Sequence, residues 1–210
     1  MNEIKYSLYL VTDSGLAGSR TIEDIVFAAI QGGVDVVQYR EKNGTTRRMM
    51  EEASKVLKIC RANHVPLIVN DRVDVALAID ADGVHVGQDD MLAGDVRRLI
   101  GPQKILGVSV GNLAEMEQAV KDGADYVGAS PIYATPTKPE ADKPMGLEGL
   151  KKMAEICPLP IVAIGGINQT NLIDIIHAGA AGAAVISAIV TAEDIRLAAQ
   201  RLKQEIKKAL

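Results

Sequence analysis

Tyr126-Val-Gly-Ala-Ser-Pro-Ile-Tyr-Ala-Thr-Pro-Thr-Lys138 runs from a short apolar strand straight into prolines, hydroxyls and a lysine. A core element that ends this way puts its polar groups at the rim of a sheet, with Ser130 marking the place where the strand leaves the core. There Thr135, Thr137 and Lys138 offer hydroxyl and ammonium donors to the oxygens of an anion. Read alone, the same residues also make an ordinary solvated turn segment. The rest of the chain decides between the two. Apolar runs of strand length recur at Ser7 to Thr12, Val34 to Tyr39, Leu67 to Val69, Gly83 to Val86, Ile105 to Val110, Tyr126 to Gly128, Ile161 to Ile164 and Ala183 to Ile186.

Segments of helical period lie between these runs, such as Ile22, Ile25, Val26, Ala29 and Ile30, or Met49, Ala53, Val56, Leu57 and Cys60, and the last is the amphipathic stretch from Ala192 to Leu210. Gly32-Gly33, Gly101, Gly123 and Gly179 fall where left-handed helix caps belong. Continuous apolar strands alternating with helices imply a parallel sheet covered by helices. Eight such units imply closure into an α/β (β/α)8 TIM barrel, expected as one domain over residues 1–210. An open doubly wound sheet would want a glycine-rich dinucleotide turn after its first strand, and Thr12-Asp-Ser-Gly-Leu-Ala-Gly18 lacks that order. No tandem sequence identity accompanies the architectural repeat.

Composition narrows the ligand class. At 48% hydrophobic residues the chain can build a core without covalent staples, so Cys60 and Cys157 are expected as buried, reduced thiols. A net charge of −4, with no tryptophan, argues against nucleic acid, which needs clustered basic residues and stacking surfaces. No apolar run approaches the roughly 18 residues that span a bilayer. Met1-Asn-Glu-Ile-Lys-Tyr6 shows no secretory pattern, and a cytoplasmic chain acting on small molecules is expected. The oligomeric state stays open, a homo-oligomer included.

In such barrels chemistry gathers at the C-terminal strand ends. The second strand ends in Gln38-Tyr-Arg-Glu-Lys42, and strand alternation would turn Gln38, Arg40 and Lys42 into the barrel mouth as a diphosphate site. Inward charges are costly there unless an anion meets them. The third strand ends in Asn70-Asp71 and the fourth leads to Gln88-Asp-Asp90. Asp71 and Asp90 suit Mg2+, with phosphate and water completing the shell, or equally well the N-caps of the helices that follow. His85, mid-strand among apolar neighbours, reads as a supporting interior residue, and His64 and His177 as helix-surface residues. Ile161-Val-Ala-Ile-Gly-Gly-Ile-Asn168 and Gly182-Ala-Ala-Val-Ile-Ser187 supply the seventh and eighth strand ends, where Gly165, Gly166, Ile186 and Ser187 would present backbone N–H groups to a phosphomonoester. Two anion sites facing each other across one mouth suggest a transferase with two substrates.

Tyr9-Leu-Val-Thr-Asp13, Gln38-Tyr-Arg-Glu-Lys42, Val69-Asn-Asp71, Gly83-Val-His-Val-Gly-Gln-Asp-Asp90, Pro131-Ile-Tyr-Ala-Thr-Pro-Thr-Lys138 and Ile164-Gly-Gly-Ile167 occur in that order. With them the chain resembles the thiamine phosphate synthase family from end to end. The resemblance implies the joining of 4-amino-2-methyl-5-hydroxymethylpyrimidine diphosphate to a thiazole phosphate, or its carboxylated form, with release of diphosphate. It implies that Gln38, Tyr39, Arg40, Glu41, Lys42, Asn70, Ser109 and Lys138 bind the pyrimidine diphosphate, and that Asp71 and Asp90 hold Mg2+. Thr135, Pro136, Thr137, Gly166, Ile186 and Ser187 would bind the thiazole phosphate, and Arg40, Lys42 and Lys138 would assist departure of the leaving group. The chain departs from the family pattern at Tyr39, where leucine is usual, at Ala134, often proline, and at Ser130, commonly glycine.

A related thiazole tautomerase would not need the whole set from Gln38 to Asp71. A pentose-phosphate epimerase would want paired His and Asp at a metal. A non-catalytic binder of thiamine precursors would keep both anion sites. The polar, proline-rich loop from Pro131 to Met145 is expected to act as a lid.

Overall fold

The computed structural model describes residues 4–135 and 143–209. Eight parallel strands close into a barrel in sequence order. In the first half, β1 (Leu8–Val11) leads through a 3-10 turn (Ser14–Leu16) to α1 (Ile22–Gln31), followed by β2 (Val36–Tyr39), α2 (Thr46–Ala62), β3 (Leu67–Asn70), α3 (Val73–Ile79), β4 (Gly83–Val86) and α4 (Ala93–Ile100). The second half comprises β5 (Ile105–Val110), α5 (Leu113–Lys121), β6 (Tyr126–Ala129), α6 (Gly146–Ile156), β7 (Ile161–Ile164), α7 (Leu172–His177), β8 (Gly182–Val185), α8 (Ser187–Val190) and α9 (Ile195–Ala209). The amphipathic stretch expected from Ala192 therefore begins as a helix only at Ile195, and a separate short helix, α8, opens directly off the last strand.

Alternate strand residues divide two cores. Outward-facing residues such as Leu8, Leu10, Val37, Leu67, Val69 and Val127 pack against the helices. A smaller inner cluster, with Tyr9, Val36, Ile68, Tyr126, Val162 and Ala184, fills the barrel itself. Cys60 is buried on α2, whereas Cys157 is only half-buried just past the end of α6; both are free thiols. His64 follows the end of α2 with a left-handed backbone instead of lying within the helix. No helix among the described residues is long and apolar enough to cross a membrane.

The N-terminal rim carries a repeat too short to show as sequence identity. Asp35, Asp82 and Asp125 each stand one residue before an even-numbered strand, and each backbone N–H donates to the carbonyl of Leu8, Leu67 or Leu106. Each carboxylate in turn accepts the N–H of that same residue, at 2.9, 2.8 and 2.7 Å. These two-point clamps tie an odd strand to the next even one. The fourth copy keeps only half the device, because Ala181 donates to Ile161 O at 2.9 Å but has no carboxylate to return.

Candidate functional site

A cavity of about 420 Å3 opens at the C-terminal mouth, within the range that holds a small ligand. The strands supply its floor, and the loops after β2, β3, β4, β6, β7 and β8 supply its walls. Of the residues singled out from sequence, Gln38, Arg40, Lys42, Asn70, Asp71, Asp90, Ser109, Thr135, Gly165, Gly166, Ile186 and Ser187 line it. Pro136, Thr137 and Lys138 lie outside the described residues, as does the middle of the expected lid.

Gln38, Arg40 and Lys42 do not follow one another along a strand. β2 ends at Tyr39, so only Gln38 is a strand residue, and the two cations rise from the loop. Nor do they wait unpaired for an anion. The Arg40 guanidinium donates to Asp13 Oδ2 and Lys42 Nζ to Asp71 Oδ2, both at 2.8 Å. For Arg40, which is largely buried, the reason is the cost of burying a charge alone, which the Asp13 carboxylate offsets; Lys42 is half exposed, and its pair is a solvated one. Thr12, fully buried, accepts the Arg40 N–H on its hydroxyl at 2.9 Å and donates its own N–H to Gln38 O at 2.9 Å. The sequence alone gives Thr12 and Asp13 no site role beyond their place in the Tyr9-Leu-Val-Thr-Asp13 stretch, although they stand where a first strand end should contribute.

Tyr39 and Glu41 are not among the cavity-lining residues. Tyr39 points out of the barrel and donates its hydroxyl to Glu52 on α2 at 2.8 Å, which gives the tyrosine at this position a partner that leucine would not use. Glu41 accepts the Asn43 N–H within its own loop.

Asp71 and Asp90 come together, and neither caps a helix: the caps of α3 and α4 are Arg72 and Leu92, each without a side-chain cap bond. Asp71 instead adopts a left-handed backbone, φ 60°. Asp90 accepts the Gly87 N–H at 2.8 Å. Burial, and then the adjoining Asp71 carboxyl, raise the Asp90 carboxyl above its ordinary range. Two carboxylates in contact, with oxygen donors only, match what a hard divalent cation prefers. Among the described residues no group of three or more His, Cys, Asp or Glu side chains gathers to hold a metal without help from a ligand.

Across the mouth, Gly165 and Gly166 have φ of 105° and 65°. A Cβ on Gly165 would fall 2.8 Å from Pro131 Cβ, and one on Gly166 would fall 2.8 Å from both Ala134 O and Tyr133 Cβ. Glycine is required there because the loop after β6 is laid against the loop after β7: Ile132 N donates to Ile164 O and Tyr133 N to Gly165 O, at 2.9 and 3.1 Å. Asn171 braces the turn from the far side, donating to Gly166 O at 3.0 Å. Both feet of the long loop are pinned as well, since Met145 N donates to Pro131 O and Gly146 N to Ile132 O. Ile186 and Ser187 open α8, whose first N–H groups have no partner within the helix.

Beneath these walls lies a chain of buried polar side chains. Gln38 Nε2 donates to Tyr9 Oη at 3.0 Å, the Tyr9 and Tyr126 hydroxyls meet at 2.7 Å, Tyr126 Oη meets His85 Nδ1 at 2.9 Å, and His85 Nε2 meets Ser109 Oγ at 2.8 Å. His85 is thus the bonded interior residue its strand position suggests. The tyrosines were unread as polar, because a tyrosine on an apolar strand looks like core.

The comparisons with known proteins agree with one another. The family model for thiamine monophosphate synthase matches residues 8–189. A thiamine-phosphate synthase of Chloroflexus aurantiacus is 57% identical over 200 residues, 95% of this chain and 92% of the relative. One from Roseiflexus castenholzii is 49% identical, over 93% and 86%. Among solved structures, a thiamine phosphate pyrophosphorylase from Pyrococcus furiosus superposes with a TM-score of 0.90 at 40% identity, covering 99% of this chain and 98% of that one. A 3-hexulose-6-phosphate synthase, at 21% identity and a TM-score of 0.68, shares the fold.

Proposed function

The chain belongs to the thiamine monophosphate synthase family and is a transferase of the thiamine-phosphate synthase kind, and from that premise we propose that it couples 4-amino-2-methyl-5-hydroxymethylpyrimidine diphosphate to a thiazole phosphate, releasing diphosphate. One observation carries the finer reading. A single mouth has basic groups and a carboxylate pair on its β2 to β4 side, and glycine backbone with a helix start on its β7 to β8 side. In this reading Gln38, Arg40, Lys42, Asn70 and Ser109 hold the pyrimidine diphosphate, joined by Lys138. Gly166, Ile186, Ser187 and the segment from Thr135 to Thr137 hold the thiazole phosphate.

Asp71 and Asp90 would hold Mg2+, which when bound supplies positive charge to the leaving diphosphate. Arg40 and Lys42, already oriented by Asp13 and Asp71, spread the remaining charge of that group. A loose transition state results, with cationic character at the pyrimidine methylene and electron donation from the 4-amino group. The phosphate anchor near β7 and β8 aligns the thiazole nitrogen for attack, and alignment supplies much of the acceleration. The aromatic nitrogen needs no general base, in keeping with a His85 whose two ring nitrogens are both engaged with hydroxyls.

Rapid mixing of both substrates with Mg2+ tests the reading. Thiamine phosphate and diphosphate should appear in equal amounts. Binding without diphosphate release would point to a non-catalytic binder, and isomerisation of the thiazole alone to a tautomerase.

A further inference from the structure

The floor of the cavity is a continuous line of hydrogen bonds, and the placement of the Gln38 amide nitrogen toward Tyr9 gives the line a direction. Gln38 Nε2 has only protons to give, so the Tyr9 oxygen, 3.0 Å away, accepts. Either hydroxyl could donate in the Tyr9–Tyr126 contact and the roles of the His85 nitrogens follow its tautomer; the arrangement in which each group passes one proton onward sends the Tyr9 proton to Tyr126 Oη and the Tyr126 proton to His85 Nδ1. With Nδ1 accepting, the imidazole proton sits on Nε2 and is donated to Ser109 Oγ. Ser109 O is occupied separately by Gln88 Nε2 at 2.7 Å. The serine hydroxyl proton is left to face the cavity that Ser109 lines.

The sequence makes room for this line. Register places His85 opposite Gly107, and Gly107 opposite Tyr126, so β5 has no side chain between the two rings. A Cβ on Gly107 would collide with the hydroxyl end of Tyr126 and with His85 Nδ1, and one on Gly128 would lie 3.1 Å from His85 Cε1. Burial raises the pKa of both tyrosine hydroxyls, so the phenols stay protonated.

We infer that Tyr9 and Tyr126 are positioning residues: they hold His85 as the Nε2-protonated tautomer and thereby make Ser109 a hydrogen-bond donor to a lone pair on the ligand. The inference rests on the reading above, in which the aminopyrimidine diphosphate occupies this side of the mouth. Ser109 then selects a ligand that offers an acceptor at that point, a ring nitrogen or a diphosphate oxygen, and disfavours one that offers a proton.

The test begins with the ligand-free protein. Histidine at positions 64, 85 and 177 only makes 15N-histidine labelling readable. Two-bond 1H–15N spectra should show His85 neutral, with Nδ1 accepting and Nε2 protonated. Tyr126→Phe, which keeps the ring, should abolish that tautomer preference. It should also raise KM for the pyrimidine diphosphate roughly threefold to tenfold, the worth of one neutral hydrogen bond, with KM for the thiazole phosphate unchanged. Tyr9→Phe should weaken the tautomer preference one link earlier. A wild-type proton on Nδ1, or on both nitrogens, overturns the inference, as does a folded Tyr126→Phe with unchanged tautomer and unchanged KM. The spectrum needs no substrate. A chain that failed to turn over these substrates would defeat the functional reading and leave the tautomer result to stand separately.

Discussion

Asp71 holds its carboxylate over the cavity by adopting φ 60°, a conformation that asparagine and aspartate tolerate and alanine does not. Asp71→Asn is therefore the informative substitution. It should leave the melting temperature close to wild type, since it removes a like charge from beside Asp90 and with it the exposed ion pair to Lys42, yet raise the Mg2+ concentration needed for turnover. Asp90→Asn should do the same. A Mg2+ titration beside a thermal melt checks both; metal dependence equal to wild type in both variants would remove the carboxylate pair from the metal assignment. Tyr39 makes the opposite case. Its hydroxyl meets Glu52 on the outer face, so Tyr39→Phe should cost about 0.5–1.5 kcal/mol of stability and leave both KM values where they were. A changed KM for pyrimidine diphosphate would return Tyr39 to the site.

Strand pairs are held at the N-terminal rim by Asp35, Asp82 and Asp125, each closing two hydrogen bonds with one residue of the preceding strand. Asp82→Ala strands the buried Leu67 N–H and should cost about 1–3 kcal/mol, read as a lower denaturation midpoint with activity at saturating substrate unchanged. Ala181→Asp restores the missing fourth carboxylate beside Ile161 and should raise the midpoint by the worth of about one hydrogen bond. A drop in stability for Ala181→Asp would show that the fourth pair is not equivalent to the other three. The sequence displayed the eight strands because their apolar runs are continuous, but not these clamps, since a single aspartate beside a glycine turn carries no period. Helix starts misled in one place. Asp71 and Asp90 stand where caps belong, and only the backbone angle at Asp71 and the Asp90 bond to Gly87 set them apart from capping residues.

At the scale of the whole molecule, barrel closure turns a linear series of strand ends into one mouth, which is why most of the site could be read before any coordinates. Gln38 and Arg40, Asn70 and Asp71, Gly166, and Ser187 stand at or just past the ends of β2, β3, β7 and β8, and the fold gathers them around one cavity. What stayed illegible depends on contact between distant strands. The Asp13 partner of Arg40 lies 27 positions away, and the Tyr9 hydroxyl meets Tyr126 across 117. The central claim is that this mouth is divided, with the pyrimidine diphosphate on the β2 to β4 side and the thiazole phosphate on the β7 to β8 side. Steady-state kinetics with each substrate varied in turn, on Arg40→Ala and Ser187→Ala, tests the division most directly. Loss of one charge-assisted hydrogen bond is worth roughly 1.5–3 kcal/mol, or about 10- to 150-fold. Arg40→Ala should lose that much in kcat/KM for the pyrimidine diphosphate, Ser187→Ala, which removes the hydroxyl at the start of α8 and keeps the backbone N–H, should weaken chiefly the thiazole phosphate and by less, and equal losses for both substrates in both variants would contradict two separate sites.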